Sequence, residues 1–120
     1  MTYLPFIFVA LVAFEHFYIL VLEMFFWTKP RALSVFGGTK EDAEKSKVLA
    51  ANMGLYNGFL AAGLVWGLVH PSDVMGEQIQ IFFLLCVIIA AIYGGMTAKK
   101  SIVIMQGLPA LVAMLFVLFI

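Results

Sequence analysis

The sequence is short of charge. Seven Lys and Arg and seven Asp and Glu are all that 120 residues carry, formal net charge is zero, and 64% of the residues are hydrophobic, against roughly 45–50% in a soluble domain. No basic stripe is available to follow a phosphate backbone, which excludes a nucleic-acid binder of the usual kind. Cys86 is the single cysteine, so an intrachain disulfide and a dithiol redox pair are both excluded. Its sulfur reads as a small apolar group in a buried helix. There is no phosphate-cradling glycine loop, no C-x-x-C, no H-E-x-x-H and no G-x-S-x-G, and with them go the well-marked enzyme classes. No Lys or Arg precedes the first apolar run and no small-x-small site follows it. That run is therefore expected to stay as a membrane helix instead of being cleaved as a leader.

Long apolar runs are what the chain has in quantity, and its mean hydropathy is +1.08. A spanning helix needs about 20 mostly apolar residues, and residues 4–27, 48–70, 77–98 and 102–120 qualify. The expected fold is an all-α transmembrane four-helix bundle forming one domain. Pro5 suits a first helical turn, Pro71 ends the second span, and Pro109 should kink the fourth. Lys29, Arg31, Lys40, Lys45 and Lys47 lie between the first two spans, and Lys99 and Lys100 between the last two. By the positive-inside rule both basic loops face the cytoplasm and both termini lie outside, which predicts a multi-pass protein of the cytoplasmic membrane. Thr39 followed by Asp42 resembles a capping box, so the second helix is expected to begin near Lys40 and to extend into the cytoplasm.

Polar side chains inside these runs are few and lie low. With a rise of about 1.5 Å per residue, Glu15 and His16 fall at the middle of the first span and Glu23 toward its cytoplasmic end. On the same arithmetic Asn52 comes level with Glu23, and Tyr56 and Asn57 level with Tyr18. Tyr93 and Gln106 fall in the same half. At about 100° per residue, His16 and Glu23 point within about 20° of one another. Asn52, Tyr56, Phe59, Gly63, Gly67 and His70 form a stripe on the second span that should face protein. An ionised carboxylate facing hydrocarbon costs about 2.5 kcal/mol or more, so Glu15 and Glu23 should look inward, toward a polar pocket open to the cytoplasm and sealed above by apolar packing and Trp66.

The runs "FEHFYILVLEMFFW" and "VLAANMGLYNGFLAAGLVWGL", with "YGG" and "QGLPA" after them, resemble a family of small bacterial four-span membrane proteins known only as a domain of unknown function. The resemblance covers nearly the whole chain. It implies the same bundle and supplies no substrate or cofactor.

Glu15, His16, Glu23, Asn52, Tyr56, Asn57, Tyr93 and Gln106 are the candidate ligand- or proton-binding residues. Ionisable groups within a span are functional by default, and imidazole changes charge near neutral pH. The blander reading is a polar clamp between helices, with Asn52, Tyr56 and Asn57 simply bonding across them. Glu15, His16 and Glu23 spread over about two helical turns, too far apart for one shared metal ion. The leading expectation is binding or transport of a small amphiphilic or cationic solute, coupled to protons through Glu15 or Glu23. The alternatives are a membrane enzyme doing acid–base chemistry on a lipid or isoprenoid, and a non-catalytic assembly subunit. Gly54/Gly58 and Gly63/Gly67 are small-xxx-small pairs that read as packing notches and offer a surface for a homodimer.

Overall fold

The computed structural model describes residues 3–120, and they are helical almost throughout. Five α-helices follow one another: α1 (Tyr3–Phe25), α2 (Pro30–Phe36), α3 (Lys40–Val69), α4 (Asp73–Thr97) and α5 (Leu108–Phe119), the last entered through a π-helical segment, Val103–Gly107. α1, α3 and α4 are long and apolar enough to cross a membrane. The expected fourth span is the π segment with α5, 17 residues from Val103 to Phe119, or about 25 Å at 1.5 Å per residue. The hydrocarbon of a bilayer is about 30 Å thick.

Local chemistry explains the boundaries. The Thr39 hydroxyl accepts the Asp42 N–H at 3.1 Å, so α3 starts as expected and runs 30 residues, about 45 Å. α4 begins four residues before the expected 77 because Ser72 Oγ accepts the Met75 N–H at 3.2 Å and caps it. The short α2 is an addition to the expected elements. Pro30 occupies its first turn, where a missing N–H costs nothing. Gly37 ends it at φ 81°, a left-handed conformation that glycine adopts without strain, and Gly38 follows at φ 86°.

Pro109 does not simply kink its helix. In a regular α-helix its ring would strike the carbonyl of Met105. The chain instead widens to a π turn just before it, and the Leu108 N–H reaches back five residues to the Val103 carbonyl. One extra residue is taken up per turn there, and the helix continues past the proline.

The chain divides into two compact units. The larger holds the first half of α1, the second half of α3, α4, the π segment and α5. Its core is apolar: Val9, Val12 and Ala13 from α1, Leu64 from α3, Leu84 and Val87 from α4, and Ala110, Ala113 and Met114 from α5. Small residues set how closely the helices approach. Gln80 Nε2 donates to the Gly67 carbonyl at 3.1 Å, and a Cβ on Gly76 would come 2.6 Å from that same oxygen. Gly63 lies under the ring of Phe83. The smaller unit, Glu15–Phe59, holds the rest of α1, α2 and the first half of α3.

Candidate functional site

α1 buries one continuous edge: Val9, Val12, Ala13, His16, Ile19, Leu22 and Glu23 are all at most 7% exposed. The spacing is that of a helix stripe, i, i+3, i+4 and i+7. Two of its places, seven residues apart, are taken by His16 and Glu23, the buried polar side chains of the described residues. The common face expected for them is observed.

In the smaller unit α3 meets this edge through glycines. A Cβ on Gly54 would come 3.0 Å from Glu23 Cβ and 3.2 Å from the Leu20 carbonyl oxygen, and one on Gly58 would strike the Leu20 side chain. Beside that notch, Asn57 Nδ2 donates to Glu23 Oε1 at 2.7 Å. A carboxyl group in an apolar seam thus has an amide donor from the facing helix, which removes much of the desolvation cost. About two turns away along α1, Glu15 Oε1 lies 4.0 Å from His16 Nδ1. That oxygen is buried without a hydrogen-bond partner, although the Glu15 side chain as a whole is 28% exposed.

The six expected site residues of the smaller unit do not form one cluster. Asn57 joins Glu23, and Glu15 joins His16. Asn52, expected level with Glu23, turns its amide to the Val48 carbonyl of its own helix at 2.9 Å and is exposed. Tyr56 is 63% exposed, its ring set edge-on against Phe59. The expected stripe on α3 is therefore buried at Gly63 and Gly67 and open at Asn52, Tyr56 and Phe59. The reason is geometric. In the smaller unit the edge facing α1 is Gly54, Asn57 and Gly58, and Asn52 and Tyr56 lie roughly opposite it at about 100° per residue. Tyr93 and Gln106 belong to the larger unit, the first 69% exposed on α4 and the second half-buried in the π segment. Trp66, expected to be packed, is 55% exposed beside the His70 ring. Among the described residues no three His, Cys, Asp or Glu side chains come together in the way a metal ion requires.

Sequence reasoning missed two further contacts of the smaller unit. Arg31 Nε donates to the Tyr18 hydroxyl at 2.7 Å, with the guanidinium 5.9 Å from the ring centroid. Trp27 Nε1 donates to Ser46 Oγ at 3.1 Å, and the Trp27 ring packs on Phe36 at 5.2 Å. Both depend on α2, whose available signals were a proline and a glycine pair seven residues apart. Between α2 and the start of α3 they leave a cavity of about 80 Å³.

Residues 10–118 match a family described as "Protein of unknown function (DUF1304)". The chain belongs to that family. It is also similar to the "Uncharacterized protein YpaA" of Lactococcus lactis subsp. lactis (strain IL1403), with 37% identity over 117 residues, or 96% of this chain and 97% of that one. No solved structure matches the chain. The alignment with YpaA runs nearly end to end, so the resemblance drawn from "FEHFYILVLEMFFW" and the glycine-rich second run holds at the level of the family.

Proposed function

We propose that this protein is a four-span bundle of the cytoplasmic membrane, with both termini outside, that binds and moves a small cationic or amphiphilic solute in exchange for protons. The observation that carries this reading is the Glu23–Asn57 pair: a carboxyl group 3% exposed, held at 2.7 Å by an amide from a second helix. A structural clamp needs only a neutral hydrogen-bonding pair. A carboxyl at that place adds a group that can surrender its proton as a cation arrives and recover it as the cation leaves. Glu15 and His16 on the same helix supply a second acid and an imidazole, side chains able to pass the proton on. The topology rests on the grouping of all seven Lys and Arg in two connections.

The test uses purified protein in proteoliposomes with a pH dye inside. Adding tetraethylammonium chloride outside should release protons from the lumen in wild type. Glu23→Gln and Glu15→Gln should each abolish the pH-dependent component. Tetraethylammonium-driven proton movement that survives both substitutions would overturn the proposal, and so would its absence from wild type.

A further inference from the structure

We propose that Arg31, held against Tyr18, binds the phosphate of an anionic phospholipid in the leaflet that meets the connection between α1 and α3. This goes beyond the reading above: it needs α1 to lie in a bilayer and needs no transport.

Arg31 follows Pro30 in the first turn of α2, and its exposed side chain reaches back to α1. Nε donates to the Tyr18 hydroxyl at 2.7 Å, and the guanidinium carbon lies 5.9 Å from the ring centroid. Tyr18 is seven residues before Phe25, where α1 ends, or about 10 Å along the axis. Phe25 lies within about 20° of Tyr18 around the helix and is 67% exposed. In a bilayer this side of α1, a helix apolar enough to cross one, meets acyl chains. A long basic side chain at such a place ordinarily stretches its charge out to water. Here the hydrogen bond and the ring hold it against the span.

The charge held there lacks a counter-ion. A guanidinium carries five N–H donors, and Arg31 spends one of them on the protein. Among the described residues no carboxylate lies within ion-pair distance of it. Glu41 and Glu44, at the start of α3, go to Lys45 at 3.6 Å and Lys47 at 3.5 Å, and Glu23 accepts from Asn57. An unmatched charge at the edge of hydrocarbon is costly. The bilayer itself supplies the match, because a phospholipid carries a phosphate and the planar fork of arginine takes two of its oxygens at once. Tyr18 fixes the fork before the lipid arrives, so less freedom is lost on binding. Lys29, two residues earlier, is exposed and has no ion-pair partner among the described residues. It adds the second positive charge that favours a lipid of net negative charge over a zwitterionic one.

Native mass spectrometry of the detergent-purified protein counts bound lipid directly. Wild type should take up its first dioleoylphosphatidylglycerol at least tenfold more tightly than dioleoylphosphatidylcholine. Arg31→Gln should lose that preference, and Arg31→Lys, which keeps the charge without the fork, should weaken phosphatidylglycerol several-fold. Tyr18→Phe keeps the ring, removes the hydroxyl and should also weaken it several-fold. Lys47→Gln changes net charge as Arg31→Gln does, at a residue already paired with Glu44, and should bind like wild type. The variants are compared at equal helicity by circular dichroism, which the exposure of Arg31 and Lys47 allows. Phosphatidylglycerol binding indifferent to Arg31→Gln, or lost equally in Lys47→Gln, overturns the proposal. Displacement of the lipid by equimolar inorganic phosphate would give the site to a free anion and overturn it too. None of these substitutions touches Glu15 or Glu23. Protein that binds the lipid through Arg31 but moves no protons would therefore count against transport and leave this site standing.

Discussion

Asn57 on α3 and Glu23 on α1 share a hydrogen bond of 2.7 Å beside a glycine notch, where Gly54 lies against Glu23 Cβ. The bond and the glycine notch require each other. Without Gly54 the helices could not come close enough, and without Asn57 the buried carboxyl would face an apolar seam with no donor from α3.

The bond separates hydrogen bonding from charge. Asn57→Leu leaves the Glu23 carboxyl without its donor and should cost about 1–2 kcal/mol. Glu23→Gln keeps an acceptor oxygen and should cost less than half as much. Unfolding monitored by circular dichroism in detergent checks the order. Equal stability of Asn57→Leu and wild type would show that the contact holds nothing.

The glycines should rank by what their missing Cβ would meet. At Gly54 and Gly67 the neighbours include backbone atoms, the Leu20 carbonyl oxygen at 3.2 Å and the Gly76 carbonyl oxygen at 3.0 Å, whereas at Gly58 only the Leu20 side chain must move. Alanine at Gly54 or Gly67 should therefore cost about 1–3 kcal/mol, the usual range for overpacking, and alanine at Gly58 clearly less. The same unfolding assay decides, and a Gly58→Ala protein weaker than the other two would reject the ranking.

The π segment makes a prediction about chain length. It holds one more residue per turn than an α-helix, and Ile104 within it is 66% exposed. Deleting Ile104 should let the turn close as α-helix and keep Ala110, Ala113 and Met114 facing the core. Deleting Val112 instead rotates the remainder of α5 by about 100° and should turn Met114 away from its place. Expression and melting of the two deletion proteins compare them directly, and equal damage would contradict this account.

Thr39→Ala removes the acceptor of the Asp42 N–H. A lost N-cap costs about 1 kcal/mol, and the effect should stay local. Amide exchange should speed up over residues 41–43 and remain unchanged in α4.

Much of the fold was legible in the sequence, and the misses have physical causes. Apolar runs located α1, α3 and α4, yet hydropathy alone placed the start of α4 at 77 because it ignores the Ser72 cap. α2 is only seven residues long, too short to show a period, and its proline and closing glycines were the available signal. His16 and Glu23 were paired correctly, since seven residues make almost two whole turns. The partner of Glu23 was not. Setting depths from estimated span ends matched it to Asn52, and the large polar side chains suggested the wrong edge of α3. Glycine decided that edge, because helices meet where side chains are smallest.

Composition and periodicity, which are properties of each segment alone, determined that this chain is helical, where its long apolar helices run, and which edge of α1 carries its buried acid and imidazole. Only the tertiary structure decided that Asn57 meets Glu23, that Asn52 and Tyr56 face outward, and that α2 folds Trp27 and Phe36 around a cavity. Those pairings depend on how near two helices can approach, and that distance is set jointly by side chains far apart in the sequence.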